Sequence, residues 1–154
     1  MSDCTRLLGV DYGTVRIGLA VSDPDRTIAS PMTTYSRRGR ARDAAYFRQT
    51  VEREGIGQIV VGLPVHLDGR EGQKAQEARA FGNWLVDVTG LPVVFWDERF
   101  SSVEAEGFLL AAGLTSKRRK GRRDRVAAQI LLQSYMDAGC PGEQPVRPLD
   151  DDGG

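Results

Sequence analysis

Apolar residues follow two rhythms along this chain. Leu7-Leu8-Gly9-Val10 and Ile59-Val60-Val61-Gly62-Leu63 are continuous runs, the pattern of strands buried on both faces. They predict strands over 6–11 and 58–63. Residues 16–22 follow a tight link containing Gly13 and read as an antiparallel hairpin partner. Residues 27–35, interrupted by Pro31, predict a third strand, and 92–96 another. The second rhythm is helical. Ala44, Phe47 and Val51 share a face within 41–54, and Ala78, Phe81, Leu85 and Val88 share one within 71–89. Gly55 and Gly90 stop these helices. Ser101-x-x-Glu104 is a capping-box signature for a helix over 101–112. A basic loop over 113–121 then leads to a last helix over 122–138. Three adjacent strands followed by helix–strand–helix–strand–helix–helix predict an α/β fold, with a mixed five-stranded sheet flanked by helices. The strand over 6–11 belongs near its centre.

Length and charge sharpen this outline. At 154 residues the chain has the size of one domain. No apolar run approaches the roughly 20 residues that span a bilayer. Residues 1–8 lack a signal-peptide core, so the expected location is cytoplasmic. Cys4, Cys140 and the single His66 form no cluster with zinc-ligand spacing. His66 reads as a surface or packing residue, and Trp84 and Trp96 as core. The net charge is +0, which taken whole argues against a nucleic-acid binder. The charge is segregated, however. Residues 139–154 form an acidic Gly/Pro-rich tail, expected to be disordered. Without the tail's four acids and one base, residues 1–138 hold 20 bases and 17 acids, a net +3. Lys117, Arg118, Arg119, Lys120, Arg122, Arg123 and Arg125 crowd one segment, and Arg37, Arg38, Arg40 and Arg42 another. Charge runs are commonly solvated surface. Arginine forks also match phosphate oxygens in pairs.

Carboxylates stand where carboxylates are costly. Asp11 ends the first apolar run, and Asp97 and Glu98 end the run Val93-Val94-Phe95-Trp96. Ligand sites of open sheets lie beyond the carboxyl ends of parallel strands. Asp124 precedes Ala128, Leu131, Leu132 and Tyr135 on one helical stripe, so it faces the sheet. Singly, each has a bland explanation: a turn around Gly13, a favourable charge in a helix's first turn, a pair with Arg99. Three anions converging at one sheet end would repel unless a cation sat between them. Without Cys or His donors, that cation is a hard one, Mg²⁺ or Mn²⁺. Neither a P-loop lysine nor a GxGxxG opening a helix is present.

Several motifs, in order, resemble one family. Asp11-Tyr12-Gly13-Thr14-x-Arg16-Ile17-Gly18-x-Ala20-x-Ser22-Asp23 resembles the opening motif of the YqgF (RuvX-like) family. Val61-Gly62-Leu63-Pro64 with Asp68-Gly69, and Asp97-Glu98-Arg99-Phe100-Ser101-Ser102, are similar to its middle motifs. Lys120-x-x-x-Asp124-x-x-Ala127-Ala128 with Ile130 to Tyr135 is similar to its last. Phe100, Arg123 and the acidic tail depart from the pattern, and none is a proposed ligand. The resemblance implies a ribonuclease H-like (RuvC resolvase-like) fold and a nuclease acting on the 5′ end of pre-16S rRNA. Some members have been named as Holliday junction resolvases. It implies Asp11, Glu98 and Asp124 as the catalytic and metal-binding set.

The resulting expectation is a phosphodiesterase using two Mg²⁺ or Mn²⁺ ions, one activating water and one stabilising the leaving oxygen. Thr14, Arg16, Arg99, Lys117, Arg118, Arg119, Lys120, Arg122 and Arg123 are the expected nucleic-acid contacts, with the Arg37–Arg42 cluster on the cleft's other side. The partner is structured RNA or branched DNA. Paired cuts on a four-way junction would call for a homodimer. Two rivals stay open: a non-catalytic RNA-binding ribosome-maturation factor, and an ATPase of the actin or sugar-kinase type, whose two-domain cleft this length does not accommodate.

Overall fold

The structure, a computed structural model, describes residues 5–64, 70–98 and 116–141, with side chains of the last segment from residue 123 onward. The helix expected over 101–112, His66, Asp68, Gly69, Arg99, Phe100, Cys4 and nearly all of the acidic tail lie outside the described residues. Five strands, β1 (Arg6–Asp11), β2 (Arg16–Ser22), β3 (Ala29–Ser36), β4 (Ile56–Leu63) and β5 (Val93–Asp97), form one sheet in the order β3-β2-β1-β4-β5. The β1–β2 and β2–β3 pairs are antiparallel, and β1–β4 and β4–β5 are parallel. The mixed sheet and central β1 are as the apolar runs predict. β3 begins at Ala29 rather than Thr27 because the Asp23 carboxylate accepts the N–H groups of Thr27 (2.7 Å) and Ile28 (3.0 Å), closing a turn there.

Helices α1 (Arg40–Glu54) and α2 (Gln73–Thr89) cover one face of the sheet. Both end at a left-handed glycine, Gly55 and Gly90. The buried stripe of α1 is Asp43, Phe47 and Thr50, turned one residue from the expected Ala44 and Val51. Its cause is polar. Asp43, fully buried, accepts hydrogen bonds from Tyr35 Oη (2.6 Å), the Arg38 N–H (2.9 Å) and Arg37 Nε (3.2 Å). Burial alone would raise the Asp43 carboxyl, but these donors outweigh it and hold the group below its ordinary value. Burial, then the bond to Asp43, pushes the Tyr35 hydroxyl up to about 12.

Helix α3 (Ser116–Asp137) covers the other face, the one helix to do so among the described residues. Its described range begins at Ser116, so residues 116–121 of the expected basic loop are instead helical turns. Lysine and arginine are good helix formers, and one interior glycine, Gly121, costs only about 1 kcal/mol. Ala128, Leu132 and Tyr135 are fully buried against Leu7, Ala20, Val60 and Val94. Polar clamps fix α3 crosswise. Gln133 bonds the Ala29 N–H (2.9 Å) and Thr27 carbonyl (3.0 Å) on one side, and Ser134 accepts from Trp96 Nε1 (3.1 Å) on the other. Trp84 and Trp96 are half-buried and pack on the two core clusters, one on each face of the sheet. Among the described residues no helix is long and apolar enough to cross a membrane.

The approach of α3 depends on two glycines. A Cβ on Gly18 would collide with the Asp124 carbonyl oxygen, and one on Gly9 would lie 3.0 Å from Leu132 Cβ and 3.1 Å from the Ala128 carbonyl. Gly18→Ala should therefore destabilise the protein by about 1–3 kcal/mol through overpacking, and Gly9→Ala by less. Urea unfolding measures both, and an unchanged midpoint for Gly18→Ala would mean that α3 is not seated there. Asp43→Asn should cost about 2–3 kcal/mol at neutral pH, because charged hydrogen bonds in a buried site are lost. A carboxyl whose pKa is depressed by folding stabilises above its unfolded pKa, and that contribution disappears as pH falls through the folded value. The gap between wild type and Asp43→Asn should thus shrink as pH drops from about 5 to about 3. A gap constant across that range would show that Asp43 contributes no charge-dependent stability.

Candidate active site

The parallel strands β1, β4 and β5 end on the same edge, and two of them deliver a carboxyl there. Val10 pairs with Val61, so Asp11 and Gly62 leave the sheet side by side. Leu63 pairs with Asp97, and Glu98 follows directly. Gly62 makes room for Glu98: a Cβ there would collide with Glu98 Oε2 and lie 2.9 Å from its Cγ. Asp11 also pairs with Gly18 of β2, and the Asp124 backbone rests over that glycine. Side chains are therefore missing at both places where the three acids must approach the sheet.

The electrostatics record this crowding. Asp11 is pushed well above the ordinary carboxylate range, first by burial, then by the Glu98 charge and a hydrogen bond to Glu98, and lastly by Asp124. Glu98 is also raised. Burial is the main cause, with Asp97 adding to it, while the bond with Asp11 and the Lys74 ammonium act against it. The hydrogen bond between the two thus raises Asp11 and lowers Glu98. Asp124 faces elsewhere: Arg16 Nε donates to its Oδ2 at 2.9 Å, with the two side chains 32% and 23% exposed. Asp11 and Glu98 therefore touch, while Asp124 is felt by Asp11 and held by Arg16. Among the described residues no three His, Cys, Asp or Glu side chains stand close enough to hold a metal ion as they are. The donor set nonetheless fits a hard cation. It is all oxygen, and its two half-buried members, Asp11 and Glu98, face each other at a cost that a positive charge would relieve.

The expected phosphate contacts fare unevenly. Thr14 is exposed on the β1–β2 turn, and Arg123 is exposed on α3. Lys117, Arg118, Arg119, Lys120 and Arg122 lie on the first turns of α3, with side chains outside the described set, and Arg99 lies outside it altogether. Arg37 is structural, held by Asp43 and donating to Tyr12 Oη at 3.0 Å, whereas Arg40 and Arg42 are exposed. Three contributors were not foreseen: Gly62 as the seat of Glu98, Lys74 as a cation acting on it, and the Asp43–Arg37–Tyr12 chain. For Gly62 a signal existed, since glycine inside an apolar strand marks a close approach.

Comparison with known proteins agrees with this architecture. A family model described as RuvX, Holliday junction resolvase, matches residues 5–138. A Rhodopirellula baltica protein named "Putative pre-16S rRNA nuclease" is 47% identical over 133 residues, 86% of this chain and 77% of its own. Proteins of the same name from Rhodobacter capsulatus and Koribacter versatilis are 47% and 41% identical, covering 85% and 92% of this chain and 82% and 93% of theirs. Among solved structures, T. thermophilus RuvC in complex with a Holliday junction substrate aligns with a TM-score of 0.57 at 16% identity, over 92% of this chain and 99% of its own. The fowlpox virus Holliday junction resolvase aligns at 0.51 and 10% identity, over 87% and 99%. These structural likenesses show the fold, which is the ribonuclease H-like fold of the RuvC resolvases. The family model and the relatives at 41–47% identity cover most of both chains, and on that ground the chain belongs to the RuvX family.

Proposed function

We propose that this protein is a metal-dependent nuclease that processes the 5′ end of pre-16S rRNA, working in the cytoplasm. The observation that carries the reading is the half-buried Asp11–Glu98 carboxyl pair at the edge of the parallel strands, with Asp124 within electrostatic reach. Neither packing nor RNA binding needs two half-buried acids in contact. The names of relatives at 41–47% identity supply the substrate.

In this reading Asp11, Glu98 and Asp124 hold Mg²⁺ or Mn²⁺, and two ions fit the chemistry of phosphodiester hydrolysis. When bound, such ions acidify an attacking water and stabilise the leaving oxygen. Asp11 and Glu98 bind from the sheet edge, and Gly62 fixes the rotamer space of Glu98. Arg16, about one-third exposed, releases Asp124 and turns to a phosphate. Lys74 lowers the cost of the Glu98 charge. The cationic first turns of α3 attract the RNA backbone, where a helix N-terminus already favours anions. Residues 1–138 form the nuclease unit, and the acidic tail from 139 to 154 competes with RNA for those cations.

Asp11→Asn should reduce Mn²⁺- or Mg²⁺-dependent cleavage of a precursor 16S rRNA 5′ leader to background while leaving RNA affinity in chelator unchanged. Full cleavage by this variant would remove the metal assignment. A four-way DNA junction assayed alongside decides between RNA processing and the resolvase chemistry for which the family model is named. Binding of the leader without cleavage under either ion would instead favour a maturation factor without hydrolytic activity. Arg16→Gln should raise Mn²⁺ affinity about two- to fivefold in calorimetry, the scale of a partly exposed ion pair that no longer competes for Asp124. Affinity unchanged or lowered would mean that Arg16 does not restrain that carboxylate.

A further inference from the structure

A second feature of the sheet edge is unused by the cleavage chemistry. Along β1, side chains alternate between faces. Leu8 and Val10 pack with α1 and α2, whereas Leu7 packs with α3, and Asp11 shares the α3 side. Tyr12 follows directly and packs on the opposite cluster, against Phe81 of α2, with ring centroids 4.7 Å apart. There it borders a cleft of about 200 Å³ lined by Tyr12, Arg37, Arg40, Glu77, Phe81 and Trp84. That volume is below the range of about 300–1,000 Å³ typical for drug-sized ligands. It suits one aromatic ring with a charged group at its edge.

We propose that this cleft binds a single unpaired nucleotide of the RNA strand, its base on the aromatic wall and its phosphate at Arg40. The inference rests on the nuclease reading above and adds a subsite to it. Trp84, only half-buried, is the accessible part of that wall and rests on the buried Phe81, with ring centroids 5.3 Å apart. Base–aromatic stacking is available to any unpaired base but not to one enclosed in a duplex. Arg37 builds the cleft and does not serve as its anion site. Its charge is matched by Asp43, and its guanidinium lies 5.5 Å from the centres of both the Tyr12 and Phe81 rings. Arg40 differs, being exposed and without an ion pair among the described residues. Glu77, half-buried, also lines the cleft and accepts a hydrogen bond from Gln73 Nε2 at 3.2 Å. A carboxylate there repels phosphate and accepts from an exocyclic amino group. The cleft therefore offers both a cation for a phosphate and an acceptor for a base edge, which an apolar protein side chain would not exploit. One residue step along β1 separates the cleft wall from Asp11, so a strand crossing the sheet edge meets both.

The test is a fluorescence titration of the full chain, in chelator, with a 12-nucleotide single-stranded oligoribonucleotide and a blunt RNA hairpin of the same composition. The single strand should quench tryptophan emission saturably, and Trp84→Phe should abolish the quench. Arg40→Gln should weaken binding about fivefold or more and lower the slope of log affinity against log salt by about 0.7, the signature of one lost single-strand phosphate contact. The hairpin should produce no Trp84-dependent quench. An unchanged affinity and salt slope in Arg40→Gln, or an equal quench by the hairpin, would overturn the cleft assignment. Cleavage of the 5′ leader by the same wild-type preparation with Mn²⁺ is scored separately. Cleavage that is indifferent to Arg40→Gln in both KM and kcat removes the cleft and spares the nuclease. A Trp84-dependent quench without any cleavage does the reverse.

Discussion

Everything at the sheet edge depends on how closely α3 lies on β1 and β2. Helices ordinarily stand off a sheet by the thickness of the side chains between them. Here Gly9 and Gly18 remove that layer, and the Asp124 backbone comes down onto the strand that pairs with Asp11. One glycine thus determines the separation between two acids 113 positions apart in the chain. Gly62 does the equivalent for Glu98 on the other side of β1. The clamps through Gln133 and Ser134 then stop the helix from sliding along the sheet.

The two faces of the sheet handle buried charge in opposite ways. On the α1 side the Asp43 carboxylate is given enough donors to stay ionised, so it acts as a rigid bracket for Arg37 and, through Arg37, for Tyr12. On the α3 side Asp11 and Glu98 receive each other, and both are pushed toward their neutral forms. A carboxylate given several donors holds structure, while two carboxyls set against each other carry a charge cost that a cation would relieve. The same residue type therefore behaves differently on the two faces, according to the number of donors around it.

Much of this was legible in the sequence. Strand runs, helix stops and the stripe from Asp124 to Tyr135 are local patterns with periods of 2 and 3.6, and they predicted the sheet and its central strand. Asp11, Glu98 and Asp124 stood out because carboxylates follow apolar runs or open an apolar stripe. What escaped were effects that exist only after packing. Asp43 looks like an exposed first-turn acid until Tyr35 and Arg37 reach it from other elements. The basic segment looked like a loop because its charge density obscured good helix formers. That Asp124 would face Arg16 is a matter of rotamers and geometry, which no spacing rule encodes. Gly62 reads simply as one position of the strand over 58–63, although a glycine inside an apolar run holds the hint of a close approach.

The order of the elements along the chain adds a consequence in time. Asp11 is made early, Glu98 later, and Asp124 belongs to the last helix, whose clamping residues Gln133 and Ser134 come later still. Residues 5–98 hold all five strands, yet the face formed by Leu7, Ala20, Val60 and Val94 stays bare until α3 follows and docks on it. Asp124 comes beside Asp11 by the docking of a helix and not by the pairing of strands, so the spacing of these two acids reports on how α3 is seated.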